Sequence, residues 1–354
     1  MTESAQRHAF TALAAAALFG ASVPLSKLLL GDLGPLALAG LLYLGSGAGL
    51  ALVWVARASM NGVTGTESGI SRLTTADLPS LAGSILCGGI LAPVMLLWGL
   101  SGLDAASTSL LLNAESVLTM LLAAVVFAEH VSGRLWLASL VMLVAGAVLA
   151  WQPAASLPVS LHALAVLAAC LMWGMDNNLT RRIAGGDALT IAMVKGLAAG
   201  CVNLALAWFV SEGLPAGAHV GAAMLLGAAS YGVSLVLYVV ALRHLGSART
   251  GAHFATAPFF GAALAVALGA PLTLQFVAAL ALMIVASVLV LTERHGHRHS
   301  HEPMRHSHSH VHDEHHRHAH AGGPGGEPHV HEHEHQPMTH AHVHLPDLHH
   351  RHGH

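Results

Sequence analysis

Residues 9–30 read AFTALAAAALFGASVPLSKLLL, and this apolar stretch decides the fold because it can cross a lipid bilayer as one helix. About twenty apolar residues in an α-helix span a hydrocarbon core of ~30 Å. The stretch is too long for a cleavable signal sequence, it carries Lys27, and similar stretches follow it. We therefore predict that residues 9–30 form the first of several membrane-spanning helices.

The rest of the chain up to residue 294 has the same composition. Charged residues make up 9% of the 354 residues, against about 25% in soluble domains. The hydropathy pattern predicts an all-α membrane protein with ten transmembrane helices. The predicted spans are 9–30, 36–56, 79–99, 107–128, 135–152, 162–183, 189–211, 220–242, 250–268 and 274–292.

The distribution of lysine and arginine predicts the orientation of these spans. If the N-terminus is cytoplasmic, the outer loops at 31–35, 100–106, 153–161, 212–219 and 269–273 contain no lysine or arginine. The inner flanks then collect Arg57, Arg72, Arg134, Arg181, Arg182, Arg243, Arg249 and Arg294. We therefore predict a multi-pass protein of the inner (plasma) membrane with both termini in the cytoplasm.

The chain also repeats itself. Phe19-Gly20 followed by Lys27 recurs as Trp173-Gly174 followed by Arg181, and further matches occur at an offset of about 142 positions. Each copy holds five predicted spans, an odd number, so the two copies insert with opposite orientation. Such inverted repeats are typical of secondary transporters, whose substrate site lies near the bilayer midplane between the repeats. The predicted domains are therefore 1–152 and 162–292, followed by a tail at 295–354.

The paired aromatic-glycine motifs, together with Phe127-Ala128-Glu129-His130-Val131-Ser132 at the end of the fourth span, resemble the EamA type of the drug/metabolite transporter superfamily. The resemblance covers about 9–292. It implies transport of a small solute, often outward, without a cofactor or ATP. Proteins of this superfamily carry amino acids, purines, sugar phosphates and drugs, so the resemblance leaves the solute open.

Ionisable residues inside the bilayer are functional candidates because a charge at its centre costs about 2.5–3.5 kcal/mol. Glu115 lies about two turns into the fourth span, two residues after Asn113. It can ligate a cation or carry a coupling proton, or it can pair with Lys27 or Lys195 and lock the helices together. We predict a transport role for Glu115 and Asn113.

Five further positions complete the predicted transport site. Asp176, Asn177 and Asn178 offer oxygen ligands in the sixth span, although Asp176 can equally neutralise an arginine at the membrane surface. His253 opens the ninth span, where it can act as an inner gate ligand or extend toward the headgroups. Lys27 matches the cationic position of the superfamily, and a role as counter-ion is the alternative. Tyr231, Ser234 and Tyr238 share a helix face, and can line a cavity or bond to a neighbouring helix.

The last sixty residues hold 23 of the 29 histidines, many in His-x-His alternation. Neutral imidazole is a common ligand of zinc, nickel, cobalt and copper(II). We predict that this tail binds a divalent transition metal (Ni, Co or Zn) and is disordered without it. The predicted ligands are His295, His297, His299, His301, His306, His308, His310, His312, His329, His331, His333 and His335.

These features favour metal-ion efflux, in which the cytoplasmic tail captures or buffers the ion at the entrance of a carrier. The alternative is a carrier that exports a small organic solute and uses its tail as a metal buffer or regulator. A third hypothesis is a membrane-tethered metal store, but a tether needs only one span and this chain has a full inverted repeat. The sequence lacks a Walker A motif and enzyme signatures, so we predict no catalysis, no required cofactor and no nucleic-acid partner. The oligomeric state is left open by the sequence.

Overall fold

The computed structural model of the chain describes residues 3–64, 74–127, 133–151, 160–183, 187–210, 217–245, 247–291, 296–301, 304–310, 329–335 and 338–343. These residues belong to two compact units, Met1–Thr292 and Glu293–His354. We call the first the membrane unit and the second the tail.

The described secondary-structure elements of the membrane unit are all helices. Two π-helical segments, Ile85–Leu91 and Ala228–Val233, lie within longer helices, and a 3₁₀ turn at Thr75–Asp77 precedes α4. The α-helices are α1 (Glu3–Gly20), α2 (Ser22–Leu29), α3 (Pro35–Thr64), α4 (Leu78–Ser84), α5 (Ala92–Gly102), α6 (Ala105–Leu111), α7 (Ala114–Phe127), α8 (Gly133–Ala150), α9 (Leu161–Arg182), α10 (Ala188–Phe209), α11 (Ala218–Gly227), α12 (Ser234–Leu245), α13 (Ser247–Phe254), α14 (Ala257–Ala267) and α15 (Leu274–Leu291).

Several of these helices have the length and composition of membrane spans. In the described part of the chain, five stretches are long and apolar enough to cross a bilayer: Gln6–Leu29, Pro35–Ala56, Thr75–Gly102, Leu189–Phe209 and Ala218–Ala241. Shorter apolar helices cover Trp136–Ala150, Ala257–Ala267 and Leu274–Leu289. The membrane unit is therefore a multi-pass helical membrane protein.

Helices lie over the described parts of the predicted spans, and two helices extend well beyond the predicted bounds. The first helix begins at Glu3 rather than at residue 9, and α3 continues to Thr64, beyond the predicted end at residue 56. The extension of α3 is polar, and Ser59 Oγ donates to the Val55 carbonyl at 2.9 Å within it. Hydropathy marks only the apolar part of a helix, so it misses turns that continue into the polar region.

Interruptions of the helices recur along the chain. The π-helical segment at Ile85–Leu91 is matched by the one at Ala228–Val233. The break between α6 and α7 at Leu112–Asn113 is matched by the break between α13 and α14 at Ala255–Thr256. Both pairs have nearly the offset of about 142 positions that the sequence repeat has. The two copies therefore share local backbone geometry as well as sequence.

Glycines bring α3 close to α10 and α11. A Cβ atom on Gly196 of α10 would lie 2.8 Å from the Cα atom of Gly47 on α3. A Cβ atom on Gly200 would likewise clash with the backbone of Leu44 on α3. A Cβ atom on Gly45 of α3 would clash with the backbone of Met224 on α11. Small residues at such positions let helix backbones approach where lipid supplies no hydrophobic driving force. The glycine-rich face of α3 therefore packs inside the chain.

The tail contains four described strands, β1 (Gly296–His301), β2 (Met304–His310), β3 (His329–His335) and β4 (Met338–Val343). Strand β1 pairs antiparallel with β4, and β2 pairs antiparallel with β3. The composition predicts a disordered tail, and in this respect the structure differs. His-x-His alternation has the two-residue period of a strand, and the strand pairs satisfy backbone hydrogen bonds within the tail.

The Gly196 contact predicts a measurable loss of stability. Gly196→Ala places a methyl group against the α3 backbone and should lower the stability of the purified protein by about 1–3 kcal/mol, a typical effect of overpacking. Gly221→Ala is the matched control, because a Cβ at Gly221 meets nothing within 4 Å. Thermal unfolding in detergent, followed by tryptophan fluorescence, should show a lower midpoint for Gly196→Ala only. Equal midpoints for the two variants would contradict the close packing of α3 on α10.

Candidate transport site

Helix α9 lies at the centre of the candidate site. It packs against α4, α5 and α7 and against the π-helical segment Ile85–Leu91. These contacts bring the polar stretch Asp176-Asn177-Asn178 of α9 to groups that are distant in sequence. Two of the three residues are buried: Asp176 and Asn178 are 7% and 6% exposed.

The π-helical segment offers backbone carbonyls to side chains of three other helices. The Gly88 carbonyl accepts from the Tyr43 hydroxyl at 2.6 Å and from the Trp173 indole N–H at 3.1 Å. The Gly89 carbonyl accepts from Asn203 Nδ2 at 3.0 Å. Single π-helical turns occur frequently at functional sites. Here the turn gathers side chains from α3, α9 and α10 at one point.

Asp176 is held in a buried ion pair. Lys195 Nζ donates to both carboxylate oxygens, at 2.6 and 2.8 Å. The hydroxyls of Ser84 and Thr180 donate to Oδ1 at 2.5 and 3.0 Å. The Asp176 carboxylate also lies against Gly88, where a Cβ atom would overlap it. Of the alternatives left open by the sequence, the partner of Asp176 is therefore Lys195 rather than an arginine at the membrane surface.

Glu115 has a different environment. Asn177 Nδ2 donates to Glu115 Oε1 at 3.0 Å and to Thr119 Oγ1 at 3.2 Å. Among the side chains that the structure describes, no lysine, arginine or histidine pairs with Glu115. The neighbouring Asn178 bonds instead to the carbonyls of Thr119 and Gly174, at 3.1 and 2.8 Å. Glu115 and Asn177 thus form a polar bridge between α7 and α9.

Part of this bridge is accessible. Asn177 and Ser116 are exposed, and Glu115 is half-buried. Polar groups at membrane depth are placed in protein or against a water-filled cavity, because lipid cannot hydrogen-bond them. The amide of Asn177 and the carboxylate of Glu115 are therefore not enclosed by protein on every side.

Aromatic rings connect α1, α3 and the second π-helical segment. The Tyr231 ring lies 5.7 Å from Phe19 and 5.8 Å from Tyr43, measured between centroids. Tyr43 therefore contacts both π-helical segments, through its hydroxyl at Gly88 and through its ring at Tyr231.

The remaining predicted transport residues lie in other surroundings. Lys27 donates to the carbonyls of Leu100, Ser101 and Leu103, at 2.5, 3.2 and 2.8 Å, and so binds the C-terminal end of α5. Asn113 lies in the break between α6 and α7, where its Nδ2 donates to the Leu110 carbonyl at 3.0 Å. The His253 carbonyl accepts from Thr256 Oγ1 at 2.5 Å.

The structure thus brings some of the predicted residues together and keeps others apart. Asn177 contacts Glu115, and Asp176 and Asn178 are its neighbours on α9. Within the described side chains of the membrane unit, no group of three or more His, Cys, Asp and Glu residues is arranged to hold a metal ion. Of the predicted tail ligands, His295 and His312 lie outside the described residues, and the other ten lie in or at the ends of the four strands.

Several residues of the site were not predicted. Trp173 belongs to the repeated aromatic-glycine motif, which does not by itself indicate a site residue, but it is buried, 9% exposed, and bonds to the π-helical segment. Tyr43 and Ser84 lie within apolar spans that carry no periodic polar signal. Of the three residues predicted to share a helix face, Ser234 bonds to a neighbouring helix: its Oγ donates to the Ala15 carbonyl of α1 at 2.9 Å. That bond is helix-to-helix bonding, one of the two predicted alternatives.

Comparisons with known proteins agree with this architecture. An uncharacterized transporter of Methanothermobacter thermautotrophicus is 26% identical over 261 residues, which cover 70% of this chain and 75% of that protein. A solved crystal structure is similar in fold, with a TM-score of 0.57 at 20% identity, and the match covers 82% of this chain and 96% of the other. The EamA-like transporter family matches residues 6–151 and again residues 160–292, which we call the first and second segments. The chain therefore belongs to the EamA-like transporter family and is a membrane transporter.

Proposed function

We propose that this transporter is a secondary carrier for a small organic solute that bears an amino group. The observation that supports this proposal is the half-buried carboxylate of Glu115, which contacts a neutral amide rather than a cation. A carboxylate at membrane depth is costly unless a cation or a cavity compensates it. Asp176 has Lys195 for this purpose, whereas Glu115 has a free capacity that a protonated amine of the solute would fill.

An aromatic cluster of the membrane unit fits the same class of solute. Tyr231 contacts Phe19 and Tyr43, and the Tyr43 hydroxyl shares the Gly88 carbonyl with Trp173 of α9, the helix that carries Asn177. A cation within about 6 Å of such a ring centroid is attracted by the ring quadrupole, by roughly 0.5–2 kcal/mol. An ammonium group bound at Glu115 would gain from the carboxylate, and a solute long enough to reach the aromatic cluster would also contact its rings.

The proposed mechanism is alternating access. We infer ten membrane-crossing helices in two inverted five-helix repeats, with domains at 1–152 and 162–292 and with both termini in the cytoplasm of a plasma membrane. Helix α9 of the second segment packs on α4, α5 and α7 of the first, so the Glu115–Asn177 bridge lies where the segments meet. A movement of one segment against the other would open this position to alternate sides of the membrane.

Efflux of a divalent transition metal is the second candidate. The 23 histidines of the last sixty residues favour it, since a cytoplasmic tail that captures Ni, Co or Zn would supply ions to the carrier. The membrane unit gives this candidate less support. Its one buried described carboxylate is paired with Lys195, and Glu115 meets no histidine among the side chains that the structure describes.

Glu115→Gln should separate a charge requirement from a packing requirement. The substitution keeps the shape and removes the negative charge, so transport of a protonated amine should fall by about 10–100-fold, the loss of a charged contact of roughly 1.5–3 kcal/mol. Efflux of labelled amines and of their neutral analogues from proteoliposomes measures this. Asp32→Asn is a control, because Asp32 lies at an exposed position beside His219. Equal transport by the native protein and Glu115→Gln would contradict the proposal.

The Asp176–Lys195 pair should behave as a structural ion pair. Removing one buried partner leaves the other charge uncompensated, so Asp176→Asn and Lys195→Met should each lower stability by about 3–5 kcal/mol. The double variant Asp176→Leu/Lys195→Met removes both charges and should recover much of that loss. Thermal unfolding and transport should then recover together. A stable double variant that no longer transports its solute would instead assign Asp176 or Lys195 to substrate binding.

The metal candidate has a direct test in cells. Cells that express the full chain and cells that express a chain ending at Arg294 are exposed to nickel, cobalt or zinc, and the cellular metal content is measured by mass spectrometry. If the carrier moves an organic amine, neither chain lowers the metal content by efflux, and the full chain alone raises cell-bound metal through its tail. A metal content that falls with the full chain and less with the shorter chain would favour metal efflux.

A further inference from the structure

The two strand pairs of the tail align histidines with one another. In the β2–β3 pair, His306 is opposite His333, His308 is opposite His331, and His310 is opposite His329. In the β1–β4 pair, His297 is opposite His342 and His299 is opposite His340. The two strand pairs follow the same alignment of the chain: the register of β2 with β3 continues unchanged into that of β1 with β4.

The alternation of the sequence and the register of the strands are separate observations that agree. Residues two apart in a strand lie on the same face, so His306, His308 and His310 share a face of β2. A shift of the register by one position would put each histidine of β2 opposite a Glu, Val or other residue of β3. At the observed register, each of these histidines is opposite a histidine of β3.

We propose that each strand pair is one metal-binding site, built from cross-strand pairs of histidines. We call the two sites the β1–β4 ladder, with His297, His299, His340 and His342, and the β2–β3 ladder, with His306, His308, His310, His329, His331 and His333. The ligand is a divalent ion that prefers imidazole nitrogen, such as zinc, cobalt or nickel. The two ladders add His340 and His342 to the predicted ligands and leave out His301 and His335, which are opposite Met338 and Met304.

Strand geometry supports coordination by neighbouring cross-strand pairs. Opposing residues of an antiparallel pair have Cβ atoms about 4.5–5.5 Å apart, and successive residues on one face are separated by about 6.5 Å along the strand. Two adjacent pairs therefore bring four histidines into a small area. Four nitrogen ligands suit the tetrahedral coordination of zinc, and each ladder contains at least two adjacent His–His pairs.

Metal binding would in turn stabilise the strand pairs. An isolated two-stranded hairpin is marginally stable in water. An ion held by both strands links residues that are distant in sequence, and its binding free energy adds to the stability of the paired state. Metal binding to the tail does not depend on which solute the membrane unit carries.

The stoichiometry of cobalt(II) bound to the full-length protein tests the ladders. The native chain should bind two ions tightly, detected by absorption bands of tetrahedral cobalt during titration. His306→Ala/His308→Ala/His310→Ala removes one side of the β2–β3 ladder and should leave one tight ion. His315→Ala/His316→Ala/His318→Ala removes three histidines that are not part of the four described strands and should leave two tight ions. Equal losses in the two variants, or no stoichiometric step in the native chain, would overturn the proposal.

The register has its own test, which leaves every histidine in place. Ser309 is opposite Val330, so Ser309→Cys/Val330→Cys places two thiols at one register position. Ser309→Cys/Glu332→Cys is the matched control, displaced by two positions. Both are made with Cys87, Cys170 and Cys201 replaced by serine, and are oxidised with glutathione disulfide. Cobalt(II) should speed disulfide formation several-fold more in the first pair than in the second. The same acceleration in both pairs would refute the assigned register.

Discussion

Lipid offers no hydrogen bonds, so the polar groups that the membrane unit buries depend on the protein for their partners. The π-helical segment Ile85–Leu91 makes this requirement acute, because the carbonyls of Gly88 and Gly89 accept bonds from outside their own helix. Tyr43, Trp173 and Asn203 supply the donors from three other helices. The position of α9 between α4, α5 and α7 follows from these bonds, and with it the position of the candidate site.

Two carboxylates of the membrane unit differ because their neighbours differ. Asp176 has a lysine and two hydroxyls within 3.0 Å, and the group behaves as a closed unit that joins α4, α9 and α10. Glu115 has one amide contact and an accessible neighbour, Ser116. A satisfied charge stabilises helix packing, and a partly satisfied one has capacity for a ligand. This contrast is the physical basis for placing the solute at Glu115.

The parts of this structure that sequence alone could predict were those with a periodic or compositional signal. The apolar runs located the helices, and the repeated aromatic-glycine motif led to the family to which the chain belongs. Contacts between distant residues carried no such signal. Lys195 lies in an apolar span, and nothing in the sequence links it to Asp176 rather than to Glu115. In the tail, two signals of the sequence disagreed. Its composition predicted disorder, whereas the two-residue period of its histidines is a strand pattern, and the structure has strands there.

The glycine contact between α3 and α10 has a consequence for synthesis. Gly47 and Gly196 belong to different segments of the family, and their backbones are too close for any larger side chain. During translation, α3 enters the membrane long before α10 exists. At about 5–20 residues per second, the interval is on the order of ten seconds. Throughout that time the glycine face of α3 has only lipid or a chaperoning insertase against it. The second segment therefore completes a helix interface that the first segment has to leave open.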